Sequence, residues 1–206
     1  IREENISLSP IPSSISSSPS SPQTTTPTTK AISIPTSTSR PTLNPVSQTV
    51  FNPKVLVLIY NPKIESSGGK KLTEARSWNN PDSLNSQFVQ TIKEVSGGVL
   101  NYQIVERIEI DDYPLKNDGF KYDDNSYINC VNSGGSNCHS PDGANYIKMI
   151  ETSDACSKRN SGKIDEIWIW GGPWFGYWES NLAGPNAFWY NSLPTQGSSC
   201  QKLFPI

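Results

Sequence analysis

Val55-Leu56-Val57-Leu58-Ile59-Tyr60 is an uninterrupted apolar run, rich in branched residues, set between Asn52-Pro53-Lys54 and Asn61-Pro62. Continuous rather than alternating hydrophobicity predicts a strand covered on both faces, as in the centre of a parallel sheet. Pro62 ends it, because proline has no N–H for a strand ladder. Downstream, Asn80-Pro81-Asp82-Ser83 supplies an N-cap, a proline at the first helical position and an acid for the positive helix end. Leu84, Phe88, Ile92 and Val95 then recur at three- and four-residue spacing until Gly97-Gly98, which predicts an amphipathic helix. From Tyr102 to Ile110, apolar and polar residues alternate, so a second strand with one wetter face is expected, at a sheet edge or under partial cover. Ser140-Pro141-Asp142 reads as a second helix start, with Tyr146, Ile147, Met149 and Ile150 as its stripe and Ser161-Gly162 as its stop. Ile164 to Trp170 makes a third strand, ended by Gly171-Gly172-Pro173. Strand, helix, strand, helix, strand is the order of a βαβαβ unit, so the fold class is α/β: a Rossmann-like or flavodoxin-like three-layer parallel sheet.

Two segments give no such signal. Gly119 to Ser140 reads as a polar, Gly/Asn-rich excursion, and from Pro173 onward no helix or strand period is clear. Three parallel strands make a small sheet, so truncation at the C-terminus is expected.

The first fifty residues are of another kind. Between Ser7 and Thr49, 30 of 43 residues are Ser, Thr or Pro, and the first aromatic residue is Phe51. Such a segment has too little apolar surface to offset backbone ordering, about 1–2 kcal/mol per residue. A disordered tether over residues 1–50 and one folded domain over 51–206 are therefore expected. Charge adds little: the tether holds three basic and two acidic residues, and the chain as a whole carries −2. An acidic domain without a Lys/Arg stripe lacks the footprint of a nucleic-acid binder. No run of eighteen apolar residues is present, so no membrane span is expected. The chain starts on Ile1 with a tether that must lead somewhere, which predicts a preceding signal peptide or anchor and an extracellular or cell-surface location.

Cys130, Cys138, Cys156 and Cys200 form no CxxC pair and share the domain with one histidine, His139. That is a poor metal set, and no metal site is expected. In an oxidising compartment they become disulfides. The turn-rich loop VNSGGSN favours pairing Cys130 with Cys138, leaving Cys156 for Cys200, although four cysteines allow three connectivities. Free buried thiols in a cytosolic protein are the competing reading.

In open parallel sheets, ligands collect beyond the carboxyl ends of the strands. Asn61 follows the first strand, Asp111 and Asp112 the second, and Gly171 to Glu179 the third. The last segment, GGPWFGYWES, is followed by Phe188-Trp189-Tyr190. Gly171 and Gly172 let backbone approach a ligand, while Trp174, Tyr177 and Trp178 offer flat rings with polar handles suited to sugars. These rings could equally cover the sheet end as core, and seven aromatics in seventeen residues are too many to be all exposed. Glu179 with Asp111 or Asp112 would supply the paired acids that glycoside hydrolysis needs; solvated loop acids are the plainer reading. The phosphate-loop motif GxxxxGK[ST] and the dinucleotide motif GxGxxG are both absent, so no cofactor is expected. With no GxSxG elbow and a single histidine in a loop, serine-hydrolase chemistry is disfavoured. Three functions stay open: a hydrolase of polysaccharide or cell-wall material, a non-catalytic carbohydrate-binding or adhesion module, and a scaffold.

The blocks NPKVLVLIYNP, NYQIVERIEIDDYP, KIDEIWIWGGPWFGYWES and NLAGPNAFWYNS resemble, in this order, blocks of a group of secreted bacterial proteins. The likeness spans Asn52 to about Ser192, and GGPWFGYWES is its most specific part. It implies secretion and a fold that continues beyond Ile206, and it supplies no catalytic assignment.

Overall fold

The computed structural model describes residues 49–206. The tether expected over residues 1–50 lies outside them except for its last two positions. Strand β1 (Lys54–Tyr60) forms first in the chain and occupies the middle of the sheet. A small antiparallel hairpin, β2 (Lys63–Ile64) with β3 (Lys70–Lys71), and a single helical turn, α1 (Leu72–Ala75), follow it. Helix α2 (Pro81–Val95) starts as the sequence predicts: the Asn80 side chain accepts from the backbone N–H of Asp82 at 2.9 Å and of Ser83 at 3.1 Å. Asn80→Ala is expected to cost about 1 kcal/mol, read as a lower Tm with the helical circular dichroism retained below it; an unchanged Tm would show that the cap contributes nothing.

Strand β4 (Gln103–Ile110) runs parallel to β1, and so does β5 (Glu166–Trp170) on the other side, giving the order β4-β1-β5. The register aligns Tyr60 with Ile110, and Ile59 with Trp170. The two faces of β1 are both filled, as its unbroken hydrophobicity requires. Leu56, Leu58 and Tyr60 join the larger core, with Tyr127, Met149, Ile150, Ile164 and Phe175. Val55, Val57 and Ile59 face a thinner layer of Tyr102, Trp168 and Trp170. There α2 is tied on by Trp170 Nε1 donating to Asn85 Oδ1 at 2.7 Å and by an edge-on contact of Phe88 with Trp168. Each fully buried Leu, Ile or Val stabilises the fold by about 1.5–3 kcal/mol, and β1 supplies five of them in succession, Val55 to Ile59.

Between β4 and β5 the chain departs from expectation. The excursion contains a helix, α3 (Asp124–Asn132), started by a capping box in which Asp123 and Ser126 exchange hydrogen bonds. Ser140-Pro141-Asp142 does not start a helix. That role falls to Asn145, whose side chain accepts from Lys148 N–H, and α4 covers only Tyr146–Thr152. Asp154 then adopts φ 54° and splits the expected single helix, so that α5 (Ala155–Asn160) is separate. Asp142 is instead consumed by an ion pair with Lys116. After β5, two short strands, β6 (Leu182–Ala183) and β7 (Phe204–Pro205), pair antiparallel and bring Phe204 into the larger core.

The cysteines pair as the spacing suggested, Cys130 with Cys138 and Cys156 with Cys200. The first closes the turn after α3; the second fastens α5 to the segment before β7. No helix among the described residues is long and apolar enough to cross a membrane.

Candidate functional site

Because β1, β4 and β5 are parallel, the segments that follow them leave from one end of the sheet. What each residue does there differs. Asn61 is buried and acts as a joint: its amide donates to Thr73 Oγ1 at 3.1 Å and to Glu109 Oε1 at 3.3 Å, and its carbonyl accepts from Thr73 N–H at 3.0 Å. Asp111 accepts from the Lys63 N–H at 2.7 Å and forms ion pairs with Lys63 and Lys71. Partial burial raises its pKa, but those hydrogen bonds and charges outweigh burial and hold it below the usual carboxylate value. Asp112 pairs with Lys121 at 2.6 Å. Both acids line a polar cavity of about 740 Å³ together with Glu65, Asp123 and Asp124.

The loop after β5 is built on close approaches. A Cβ on Gly171 would collide with the Phe175 ring, and one on Gly172 with the Tyr127 hydroxyl, which donates to Pro173 O at 3.0 Å. Phe175 therefore drops into the core beneath the loop, packing edge-on against Tyr113 with ring centroids 5.8 Å apart. Trp174 takes φ 63°, a conformation costly for a bulky residue. It is held there by Lys116, which is 0 % exposed and whose ammonium donates to Trp174 O at 2.7 Å while pairing with Asp142. The Trp174 indole rests over Gly135, inside the loop closed by Cys130 and Cys138. Tyr177 presents part of its ring to a groove, while its hydroxyl is enclosed and has no hydrogen-bond partner among the described residues. Burial pushes that phenol's pKa well up. Burial, then the Asp112 charge, likewise pushes Tyr60 up to about 12.

The aromatics of this region thus divide. Phe175 is core and Tyr177 half-buried, whereas Trp174, Trp178, Phe188, Trp189 and Tyr190 are exposed. Trp178, 56 % exposed, stands between two depressions. One, about 470 Å³, follows β5 and is lined by Glu166, Trp168, Trp170 and Glu179. The other, about 860 Å³, is lined by Trp178, Trp189, Asn117, Asn181, Asn191 and Gln196, among others. Glu179 borders the first and accepts from Asn191 Nδ2 at 2.8 Å. Glu166 sits at the start of β5, where burial raises its pKa against hydrogen bonds from Trp168 and Tyr102. Neither depression shares a lining residue with the cavity of Asp111 and Asp112, so Glu179 and those two acids face different spaces.

Lys116, Asp142, Asn117, Gln196 and Trp189 were not singled out as site residues by sequence reasoning. Lys116, Asn117 and Asp142 lie in aperiodic polar loops, where only the fold reveals which polar residue is buried. Trp189 had a signal, its place in Phe188-Trp189-Tyr190, but no element to place it. Comparison with family models, curated proteins and solved structures finds no match to this chain.

Proposed function

We propose that the domain is a non-catalytic carbohydrate-binding module of the extracellular space or cell surface, presenting Trp178 and Trp189 to a glycan. The observation that carries this reading is that both exposed indoles line one cavity whose remaining polar lining is mostly amides and hydroxyls. A folded domain normally buries such rings, and exposed aromatic clusters of this kind mark binding surfaces. Flat rings beside polar groups suit the alternating apolar faces and hydroxyl rims of sugars. Binding is preferred to hydrolysis because the cavity that holds both indoles has a single acid, Asp142, already paired with Lys116, and the expected pair of Glu179 with Asp111 or Asp112 is divided between separate cavities, whereas paired glycosidase carboxylates flank one bond at about 5–10 Å. The two disulfides support a location outside the reducing cytosol. The order β4-β1-β5, with α2 on one face and α3, α4 and α5 on the other, supports the flavodoxin-like reading of the sheet.

Pull-down with insoluble cell-wall polysaccharide tests the reading. The parent domain is expected in the bound fraction, and Trp178→Ala with Trp189→Ala is expected to bind at least about tenfold more weakly with unchanged circular dichroism. Equal retention of parent and double variant would refute it.

A further inference from the structure

We propose that the cavity between Trp178 and Trp189 selects glycans that carry no acid groups, and that the side-chain amides of Asn117 and Gln196 read a pair of neighbouring hydroxyls. This rests on the carbohydrate-binding reading above and names the class of ligand.

The first argument is charge. Asp142 is the one charged residue in the cavity lining, and its carboxylate is taken up by Lys116. Lys116 itself is fully buried, so its ammonium is closed to a ligand. Across Trp178, the groove along β5 adds Glu166 and Glu179 and no lysine, arginine or histidine. A uronate, sulfate or phosphate finds no cation in the lining of either space: in the tryptophan cavity the one carboxylate is already neutralised by Lys116, and in the groove along β5 the acid group would also face Glu166 and Glu179. Desolvating an anion with no counterion in the tryptophan cavity, and repulsion by the carboxylates of the adjoining groove, disfavour binding, so acidic glycans are rejected.

The second argument is which polar groups are free. Asn181 uses its amide on the protein: Nδ2 donates to Ser192 Oγ at 2.7 Å and to Leu193 O at 2.6 Å, and Oδ1 accepts from Thr195 Oγ1 at 2.6 Å. Asn191 Nδ2 donates to Glu179 Oε2 at 2.8 Å, which orients that amide toward the protein. Asn117 and Gln196 are exposed, and among the described residues their side chains make no hydrogen bond. A primary amide places a carbonyl acceptor beside an NH₂ donor, which matches two adjacent hydroxyls, one donating and one accepting. Their backbones are held in place in advance. Asn117 N–H donates to Gly143 O at 2.9 Å, Ala144 N–H to Gly176 O at 2.9 Å, and Asn181 fixes the strap that leads to Gln196. A frame ordered before binding reduces the entropy lost on association.

Affinity electrophoresis tests this, with mixed-linkage β-glucan, galactomannan and xylan as neutral probes, and polygalacturonate and heparin as acidic ones. The expected result is retardation by at least one neutral probe, little changed by added salt, and none by the acidic pair. Asn117→Ala and Gln196→Ala should each weaken retardation about three- to tenfold at unchanged Tm. Retardation by an acidic probe as strong as by a neutral one overturns the selectivity while leaving the carbohydrate reading intact. Loss with Trp178→Ala but none with either amide variant overturns the amide assignment. No retardation by any probe overturns both readings together.

Discussion

Replacing Cys156 and Cys200 together by alanine is expected to lower stability by about 4 kcal/mol, while replacing Cys130 and Cys138 should cost about 2.5 kcal/mol. The difference comes from loop size. The first pair joins residues separated by 44 positions, the second by 8, and a crosslink that closes the longer loop removes more freedom from the unfolded chain. Denaturant unfolding of the oxidised parent and the two double variants measures this through the midpoint at constant slope. An inverted order would place the shorter bridge's contribution in the native state, through the Trp174 indole that rests on its loop.

Asp142→Asn is expected to cost about 3 kcal/mol, whereas Lys116→Met should cost about 1–2 kcal/mol, mainly because the Trp174 carbonyl loses its donor. The two substitutions break the same ion pair, but they leave different things behind. Without the Asp142 charge, a wholly buried ammonium keeps only the Trp174 carbonyl and the face of the Tyr122 ring, 5.4 Å away. Without Lys116, a methionine fills the same space, and Asp142, whose side chain is 34 % exposed, can be hydrated. Thermal or urea unfolding distinguishes them. Equal losses would mean that the site depends on the shape of the lysine stem rather than on its charge.

The parts of this molecule that were legible in sequence are those where local chemistry and burial agree. Val55 to Tyr60 could be placed because a strand buried on both faces leaves no polar position, and Asn80-Pro81 because cap and proline act within one turn. The alternation from Tyr102 marked an edge strand, and Ile104 and Val105 are indeed exposed on it. The break between α4 and α5 was not legible, because the left-handed conformation at Asp154 lies between two apolar segments that look continuous on a helical wheel. Helix α3 had its capping signal in Asp123 and Ser126, but no apolar stripe long enough to draw notice. For the candidate site, the parallel strands bring the segments after β1, β4 and β5 to one end of the sheet, as their order in the sequence suggested. Which of seven aromatics would be core could not be read, since Phe175 is fixed by the space over Gly171 and by the rings of Tyr113 and Tyr127, which are far from it in sequence.

The two faces of the sheet differ in one further way. Both disulfides and most of the buried aromatic rings lie on the side of α3, α4 and α5, whereas α2 is joined to the other side through Trp168 and Trp170, with only Pro81 and Asn85 of its own residues buried. The molecule therefore has a hard side and a soft side. Opening of α2 away from the sheet is expected to need less free energy than global unfolding, which hydrogen exchange would register as weaker protection of its amides than of those in β1. The tryptophan cavity is framed by Ala144, Tyr146, Trp189 and residues 191–196 and takes no lining residue from α2, so it is expected to persist when that helix opens.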